Sequence, residues 1–135
     1  MKSRFGDKYI PRRATPGSAG YDFYTPQTVT IVPGETVMID SGISLEDGDI
    51  GDDEVLCLYP RSSLGIKYGI RLRNVVGIID SDYRQTIKIP LTSDVKCTIE
   101  AGDRVVQGIV VKYGLINNEI EPTEERVGGI GSTGK

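Results

Sequence analysis

Asp80 is the residue whose type and position most directly suggest catalysis. The chain of 135 residues contains no histidine, so a general base near neutral pH has to be Asp or Glu, or less favourably Lys, Tyr or Cys. Asp80 follows the apolar stretch 75–79, and burial there predicts a raised pKa for its carboxyl group. Tyr83 offers a flat ring for a sugar. The alternative is an ordinary surface turn, in which Asp and Ser are expected in any case.

Anion-binding groups follow the apolar segment 55–59. Arg61 precedes Ser62 and Ser63, which open the one stretch with a helical pattern, 62–70. The N–H groups at a helix N-terminus, two hydroxyls and a guanidinium together favour a phosphate. An ordinary helix cap with a surface Arg is the alternative.

A third polar cluster enters the last predicted strand, at 102–107. Asp103 and Arg104 are adjacent and are predicted to form a structural salt bridge. Gln107 is then the residue of this cluster that is available for a ligand.

The fourth cluster is the glycine-rich segment 128–134, Gly-Gly-Ile-Gly-Ser-Thr-Gly. Consecutive amides with small side chains can wrap a phosphate as a nest. It is not a Walker P-loop, because no Gly-Lys-Ser/Thr follows the glycines and no helical pattern comes after them. Disorder is the alternative, and mobility is expected unless a ligand orders the segment.

Short strands separated by turn residues must position these groups. Alternation predicts a hairpin of 28–31 with 37–39, and a second hairpin of 75–79 with 86–89. The continuous apolar run 55–59 predicts a strand that is covered on both faces. Further strands are predicted at 96–100 and at 105–113, on either side of a turn at 101–103. This pattern predicts an all-β sandwich or barrel.

Composition limits the classes of function. The length fits one domain, and the net charge of −3 argues against nucleic acid and anionic membranes as partners. No apolar run has the length of a membrane span and no signal peptide is recognised, so an intracellular, cytoplasmic protein is expected. Cys57 and Cys97 are predicted to be buried, reduced thiols, although a disulfide between them stays open.

The four polar clusters and one further segment, taken in their order along the chain, resemble the motifs of the homotrimeric dUTPase family. The matching segments are 19–24, 60–65, 77–84, 102–107 and 128–134. The resemblance implies a distorted jelly-roll or β-barrel subunit with one short helix after the second motif. It also implies Mg²⁺-dependent hydrolysis of dUTP to dUMP and pyrophosphate by water attack on the α-phosphate. That reaction limits uracil in DNA and supplies dUMP for thymidylate synthesis.

The resemblance also implies roles for individual residues. Asp80 matches the aspartate that activates the water, and Tyr83 matches the tyrosine that stacks on deoxyribose and excludes a 2′-hydroxyl. Asp22 matches an acidic residue that meets Mg²⁺ through water, the ion being held mainly by the phosphates. The other matched nucleotide contacts are Arg61, Ser62, Ser63, Gly65, Asn74, Gly77, Ile78, Ile79, Lys88, Gln107, Arg126, Ile130, Gly131, Ser132 and Thr133.

The resemblance divides the chain into a β domain, 1–127, and a mobile arm, 128–135, that completes a neighbouring subunit's site in a homotrimer. Two departures concern the arm. Ile130 stands where the family usually has an aromatic residue, so stacking on the base is expected to be weaker. The spacing after Arg126 is shorter than the familiar form. A regulatory protein partner is left unidentified.

Three other readings compete with a dUTPase. A dCTP deaminase shares the fold and much of the second motif, but usually carries a Gly-Phe type sequence in the hairpin and a catalytic glutamate further along, where this chain has Asp-Ser-Asp-Tyr. A binding or regulatory module of the same fold is suggested only by Ile130. A structural β-sandwich, such as a shell or lectin domain, leaves the ordered motifs unexplained.

Overall fold

Four small antiparallel sheets make up the structure, a computed structural model that describes residues 1–126. The strands are β1 Lys2–Ser3, β2 Tyr21–Tyr24, β3 Val29–Ile31, β4 Val37–Asp40, β5 Ile43–Ser44, β6 Glu54–Pro60, β7 Arg71–Leu72, β8 Gly77–Ile79, β9 Lys88–Thr92, β10 Cys97–Ile99 and β11 Arg104–Lys112. One α-helix, α1 Ser62–Tyr68, follows β6, and a single 3₁₀ turn spans Asp7–Tyr9. The predicted all-β fold with one short helix after the second motif is confirmed.

The largest sheet has the order β2-β11-β6-β8, with β6 inside it. β6 pairs with β11 from Val106↔Pro60 to Lys112↔Glu54, and with β8 on its other side. Its central residues Leu56, Cys57 and Leu58 are all buried, as the continuous apolar run predicted. β8 is therefore an edge strand within the described residues, and the chain leaves the sheet directly after it.

Both predicted hairpins are wrong, although the strands exist. β3 pairs with β10 and β4 pairs with β9, so the turn after β3 passes the chain from one sheet to another. In the same way β8 pairs with β6, whereas β9 pairs with β4 and β7. Alternation of apolar residues identifies the face of a strand that is buried, but it does not identify the partner strand.

The helix α1 begins at Ser62, the first residue of the predicted helical stretch 62–70. The capping position is Arg61, which is extended (φ −81°, ψ 136°) and makes no side-chain cap. Neither Ser62 nor Ser63, the two hydroxyls considered as possible caps, occupies the capping position, since both lie inside the first turn. The helix ends at Gly69, whose φ of 66° is the left-handed conformation that glycine adopts without strain.

A single apolar cluster joins the sheets. Its fully buried side chains include Phe23, Ile31, Leu58, Leu72, Ile87, Ile89, Leu91, Val105 and Val106. The buried hydroxyl of Ser41 donates to the carbonyl of Ile87 at 2.7 Å, which removes the cost of an unpaired polar group. Cys57 is buried and both thiols are free, as the sequence predicted, but Cys97 is only half-buried.

Within residues 1–126, no helix has the length and apolar character that crossing a membrane requires.

Candidate functional site

A cavity of about 420 Å³ opens beside the end of β8. We call it the Asp80 cavity. Its lining residues are Met38, Leu58, Leu72, Arg73, Asn74, Gly77, Ile78, Ile79, Asp80, Tyr83, Lys88, Pro90 and Arg126. The structure thus brings together the residues that the sequence predicted for base and sugar recognition. Arg73, Met38 and Pro90 were not predicted, and no local motif distinguishes them.

A tight turn at 72–76 contributes Asn74 to the lining of the Asp80 cavity. Val75 N–H donates to Leu72 O at 2.9 Å, and Val76 N–H donates to Asn74 O at 2.8 Å. Val75 has a φ of +71°, a strained conformation for a β-branched residue. Strain of this kind persists only where its surroundings hold it, and it is common at functional sites. Here the turn directs Asn74 to the cavity.

Gly77 brings the backbone of β8 close to β6. A Cβ atom at position 77 would lie 3.0 Å from Leu58 Cβ, tighter than ordinary packing allows. The small residue therefore lets β8, whose residues 77–79 line the cavity, lie close against β6. On its far side β8 has no strand neighbour in the described part of the chain.

Asp80 and Tyr83 lie at the two ends of one turn. Tyr83 N–H donates to Asp80 O at 3.0 Å, and the buried Tyr83 ring is fixed by its hydroxyl, which donates to Thr86 O at 3.2 Å. The Asp80 side chain is 50% exposed, so the burial that the sequence predicted for it is wrong for the single chain. Asp80 follows an edge strand, and a carboxylate at that position meets solvent.

Arg126 contacts both Asp80 and Tyr83. Its Nη2 donates to Asp80 Oδ2 at 2.5 Å, its Nε donates to Asp82 Oδ1 at 2.7 Å, and the guanidinium lies 5.7 Å from the centre of the Tyr83 ring. The Arg126 side chain is only 12% exposed. Desolvation lowers its pKa, but the two carboxylates outweigh that effect and raise the pKa overall. Arg126 therefore lies over the Tyr83 ring, which the sequence predicted for contact with a sugar.

Lys88 lines the Asp80 cavity, and its ammonium group is held by two side chains of the same chain. Its Nζ donates to Asp40 Oδ2 at 3.1 Å and to Thr86 Oγ1 at 2.7 Å. Partial burial raises the pKa of Asp40, but hydrogen bonds from the Gly42 N–H and from Lys88 outweigh it, so the pKa is lowered overall. Asp40 therefore keeps its charge and anchors the ammonium group.

A second cavity, of about 350 Å³, is lined by residues of β2 and β11 and by the residues at the start of α1. We call it the Arg61 cavity. Its lining residues are Ala14, Ser18, Ala19, Gly20, Asp22, Arg61, Ser62, Arg104, Gln107 and Ile109. Gln107 is opposite Asp22 in the register of β11 with β2, and its Nε2 donates to Pro60 O at 3.2 Å.

Two residues predicted to contact the nucleotide, Ser63 and Gly65, lie on α1 and line neither cavity.

Asp22 is the carboxylate of the Arg61 cavity. It lies 3.7 Å from Arg61 Nε and 3.6 Å from Arg104 Nη1. The predicted salt bridge between Asp103 and Arg104 is wrong, because Asp103 Oδ2 instead accepts the N–H of Glu100 at 3.2 Å.

Arg104 is the functional candidate that the sequence missed. A strand alternates, so residues 104 and 107 are expected on opposite faces. The pairing of β11 with β2 shifts register between Arg104 and Val106, and this irregularity puts Arg104 and Gln107 in one cavity. A bulge of this kind has the same effect in other sheets, and no residue pattern here predicted it.

The two cavities have no lining residue in common among residues 1–126. The predicted phosphate contacts Arg61, Ser62 and Gln107 are therefore separated from Asp80 and Tyr83 within one chain. Ile130, Gly131, Ser132 and Thr133, and the arm to which they belong, lie outside the described residues.

Gly20 is expected to control the side chain of Gln107. A Cβ atom at position 20 would overlap Gln107 Oε1 and come within 3.2 Å of Gln107 Cβ, so Gly20→Ala should displace the flexible amide. We expect the KM for the nucleotide to rise about tenfold, while the free energy of unfolding changes by less than about 1 kcal/mol. Steady-state kinetics and thermal melting check this. Gly17→Ala is the matched control, because nothing lies within 4 Å of its new methyl group, and equal kinetics in both variants would contradict the prediction.

Comparisons with known proteins identify the family of the chain. The family model described as dUTPase matches residues 7–134. The deoxyuridine 5′-triphosphate nucleotidohydrolase of Actinobacillus pleuropneumoniae serotype 5b is 39% identical over 145 aligned positions, covering 100% of this chain and 94% of that protein. The enzyme of the same name from Shewanella sp. strain ANA-3 is 40% identical, covering 99% and 93%.

Solved structures agree as well. The Streptococcus mutans dUTPase superposes with a TM-score of 0.73 at 32% identity, covering 84% of this chain and 92% of that one. The Staphylococcus bacteriophage 80alpha dUTPase with dUPNHPP has a TM-score of 0.75 at 21% identity, covering 99% and 96%, and this likeness concerns the fold alone. On the family match and the full-length relatives, the chain belongs to the dUTPase family and is a dUTP-hydrolysing enzyme of that class.

Proposed function

We propose that this chain converts dUTP to dUMP and pyrophosphate by attack of water on the α-phosphorus, with Asp80 as the general base. The observation that carries the proposal is the position of Asp80 at the mouth of a cavity that also holds Asn74 and Tyr83. The Asp80 carboxylate accepts a proton as the water oxygen bonds to phosphorus, and the bond from the α-phosphorus to the bridging oxygen breaks. The electron pair leaves with pyrophosphate, whose charge needs cations nearby.

Uracil is selected by backbone groups of β8. An edge strand presents N–H and C=O groups on its open side, and 77–79 line the Asp80 cavity. Such groups pair with uracil and leave the amino group of cytosine mismatched. The Tyr83 ring packs on deoxyribose and leaves no room for a 2′-hydroxyl, once Arg126 has moved from that face.

The donor set of the chain fits Mg²⁺ that arrives with the triphosphate. In residues 1–126, no group of three or more His, Cys, Asp or Glu side chains can hold a metal ion. Asp22 is the carboxylate of the Arg61 cavity, and it would meet the ion through water while phosphate oxygens supply most of the coordination. When bound, Mg²⁺ neutralises charge on the phosphates. The chain's own part is to hold the phosphates with Arg61, Ser62 and Gln107.

Each active site is built from more than one subunit of a homotrimer. The separation of the Asp80 cavity from the Arg61 cavity supports this, because one nucleotide needs both sets of residues. The segment after β11 also exposes the apolar side chains Leu115, Ile116 and Ile120, and an exposed apolar segment favours contact with another subunit. The arm 128–135 then completes a neighbouring site.

Pyrophosphate release from dUTP, dCTP, dTTP and UTP tests the proposed function. With Mg²⁺ we expect kcat/KM for dUTP to exceed that for each of the others by about 100-fold or more, because unpaired polar groups reject the wrong base. Chelation of Mg²⁺ should remove most of the turnover. Ammonia release from dCTP would show a deaminase instead, and no turnover of any of the four would overturn the proposal.

A further inference from the structure

Two guanidinium groups in the Arg61 cavity share one carboxylate. Asp22 lies between Arg61 and Arg104, at 3.7 Å and 3.6 Å from their nearest nitrogens. These three are the charged residues that line the cavity, so its lining carries one net positive charge. A concave surface with excess positive charge attracts an anion.

The geometry leaves both guanidiniums able to donate to a ligand. The distances to Asp22 exceed the usual hydrogen-bond length of about 2.9 Å, and no acceptor within residues 1–126 takes a hydrogen bond from either side chain. The Asp22 side chain is 15% exposed and that of Arg104 is 46% exposed. The carboxylate thus lies near both cations without a hydrogen bond to either, and Arg104 is the more exposed of the two.

We propose that Arg104 is a further substrate-binding residue, which contacts the polyphosphate chain of the nucleotide beside Arg61. A polyphosphate is the anion that fits, since it presents oxygens on successive phosphorus atoms and a guanidinium can bind two of them in a fork. This inference rests on the proposed function for the identity of the nucleotide. The pair of guanidiniums binds inorganic pyrophosphate for the same reason.

The test is binding of inorganic pyrophosphate and of deoxyuridine, measured by calorimetry on the full chain. We expect Arg104→Gln to weaken pyrophosphate about tenfold, as the loss of one charge-assisted hydrogen bond predicts. Deoxyuridine, which has no phosphate and fits the Asp80 cavity, should bind with unchanged affinity. Arg104→Lys keeps the charge but loses the fork, and should retain part of the pyrophosphate affinity.

The matched control is Arg71→Gln. Arg71 is similarly exposed, pairs with Asp94 at 2.9 Å and lines neither cavity, so pyrophosphate affinity should not change. Equal pyrophosphate affinity in wild type and Arg104→Gln would overturn the inference, and so would a parallel loss of deoxyuridine affinity, which indicates a structural defect. If pyrophosphate binding depends on Arg104 but dUTP is not hydrolysed, the proposed function fails and this inference stands.

Discussion

Replacing Asp80 by Asn is expected to lower kcat for dUTP by about 10²- to 10⁴-fold, the usual contribution of a positioned general base. Asparagine keeps the shape of the side chain but cannot take a proton from water. The Asp80 side chain is half exposed, so the melting temperature should change little. Pyrophosphate release under saturating dUTP measures the loss.

Asp47→Asn is the matched control for this variant. Asp47 is an exposed carboxylate that pairs with Arg84 at 2.7 Å and lines neither cavity. Like Asp80→Asn, it removes one surface charge and one Arg partner. Its kcat should equal that of wild type. If kcat for Asp80→Asn lies within a few fold of the value for this control, Asp80 is not the general base.

Mixing two inactive variants is expected to restore activity if each site is shared between subunits. Asp80→Asn damages the Asp80 cavity and Arg61→Ala damages the Arg61 cavity. In every trimer that contains both variants, about a third of the sites take an intact Asp80 from one subunit and an intact Arg61 from another. The measurement is dUTP turnover by mixed trimers, purified through a different tag on each variant.

The control for the mixing experiment pairs Asp80→Asn with the double variant Asp80→Asn/Arg61→Ala. Both chains then lack the base, so no combination of subunits contains an intact site. Mixed trimers of this kind should remain as slow as Asp80→Asn itself. If the two single variants together are no faster than either one, both cavities serve a nucleotide bound to the same chain, and the shared site is wrong.

Local patterns in the sequence predicted the elements well. The buried strand β6, the helix that follows it and the turn before β11 all lie where composition and spacing put them. Each depends on neighbours along the chain: a continuous apolar run, apolar residues at helical spacing, or glycine at a turn. The grouping of Asp80 with Tyr83 was also predictable, because one short turn joins them.

Features that depend on the sheets as a whole were not predictable. Strand partners were wrong because alternation carries no information about which strand lies alongside. Asp80 was expected to be buried after five residues that include four apolar side chains, but β8 is an edge strand. Arg104 and Gln107 line the same cavity because of a register shift between β11 and β2. Such a shift changes the face of the sheet on which a side chain lies, and no pattern in the local sequence predicts it.

The close approach of Gly77 to Leu58 has a consequence for how the enzyme's selectivity withstands mutation. The Ile78 side chain is exposed, whereas the proposed recognition of uracil uses the peptide groups of the same strand. If main-chain atoms discriminate between bases, most codon changes in this strand leave the discriminating atoms unaltered. Selectivity then tolerates drift in side-chain identity, and it is vulnerable mainly to substitutions that move the strand itself.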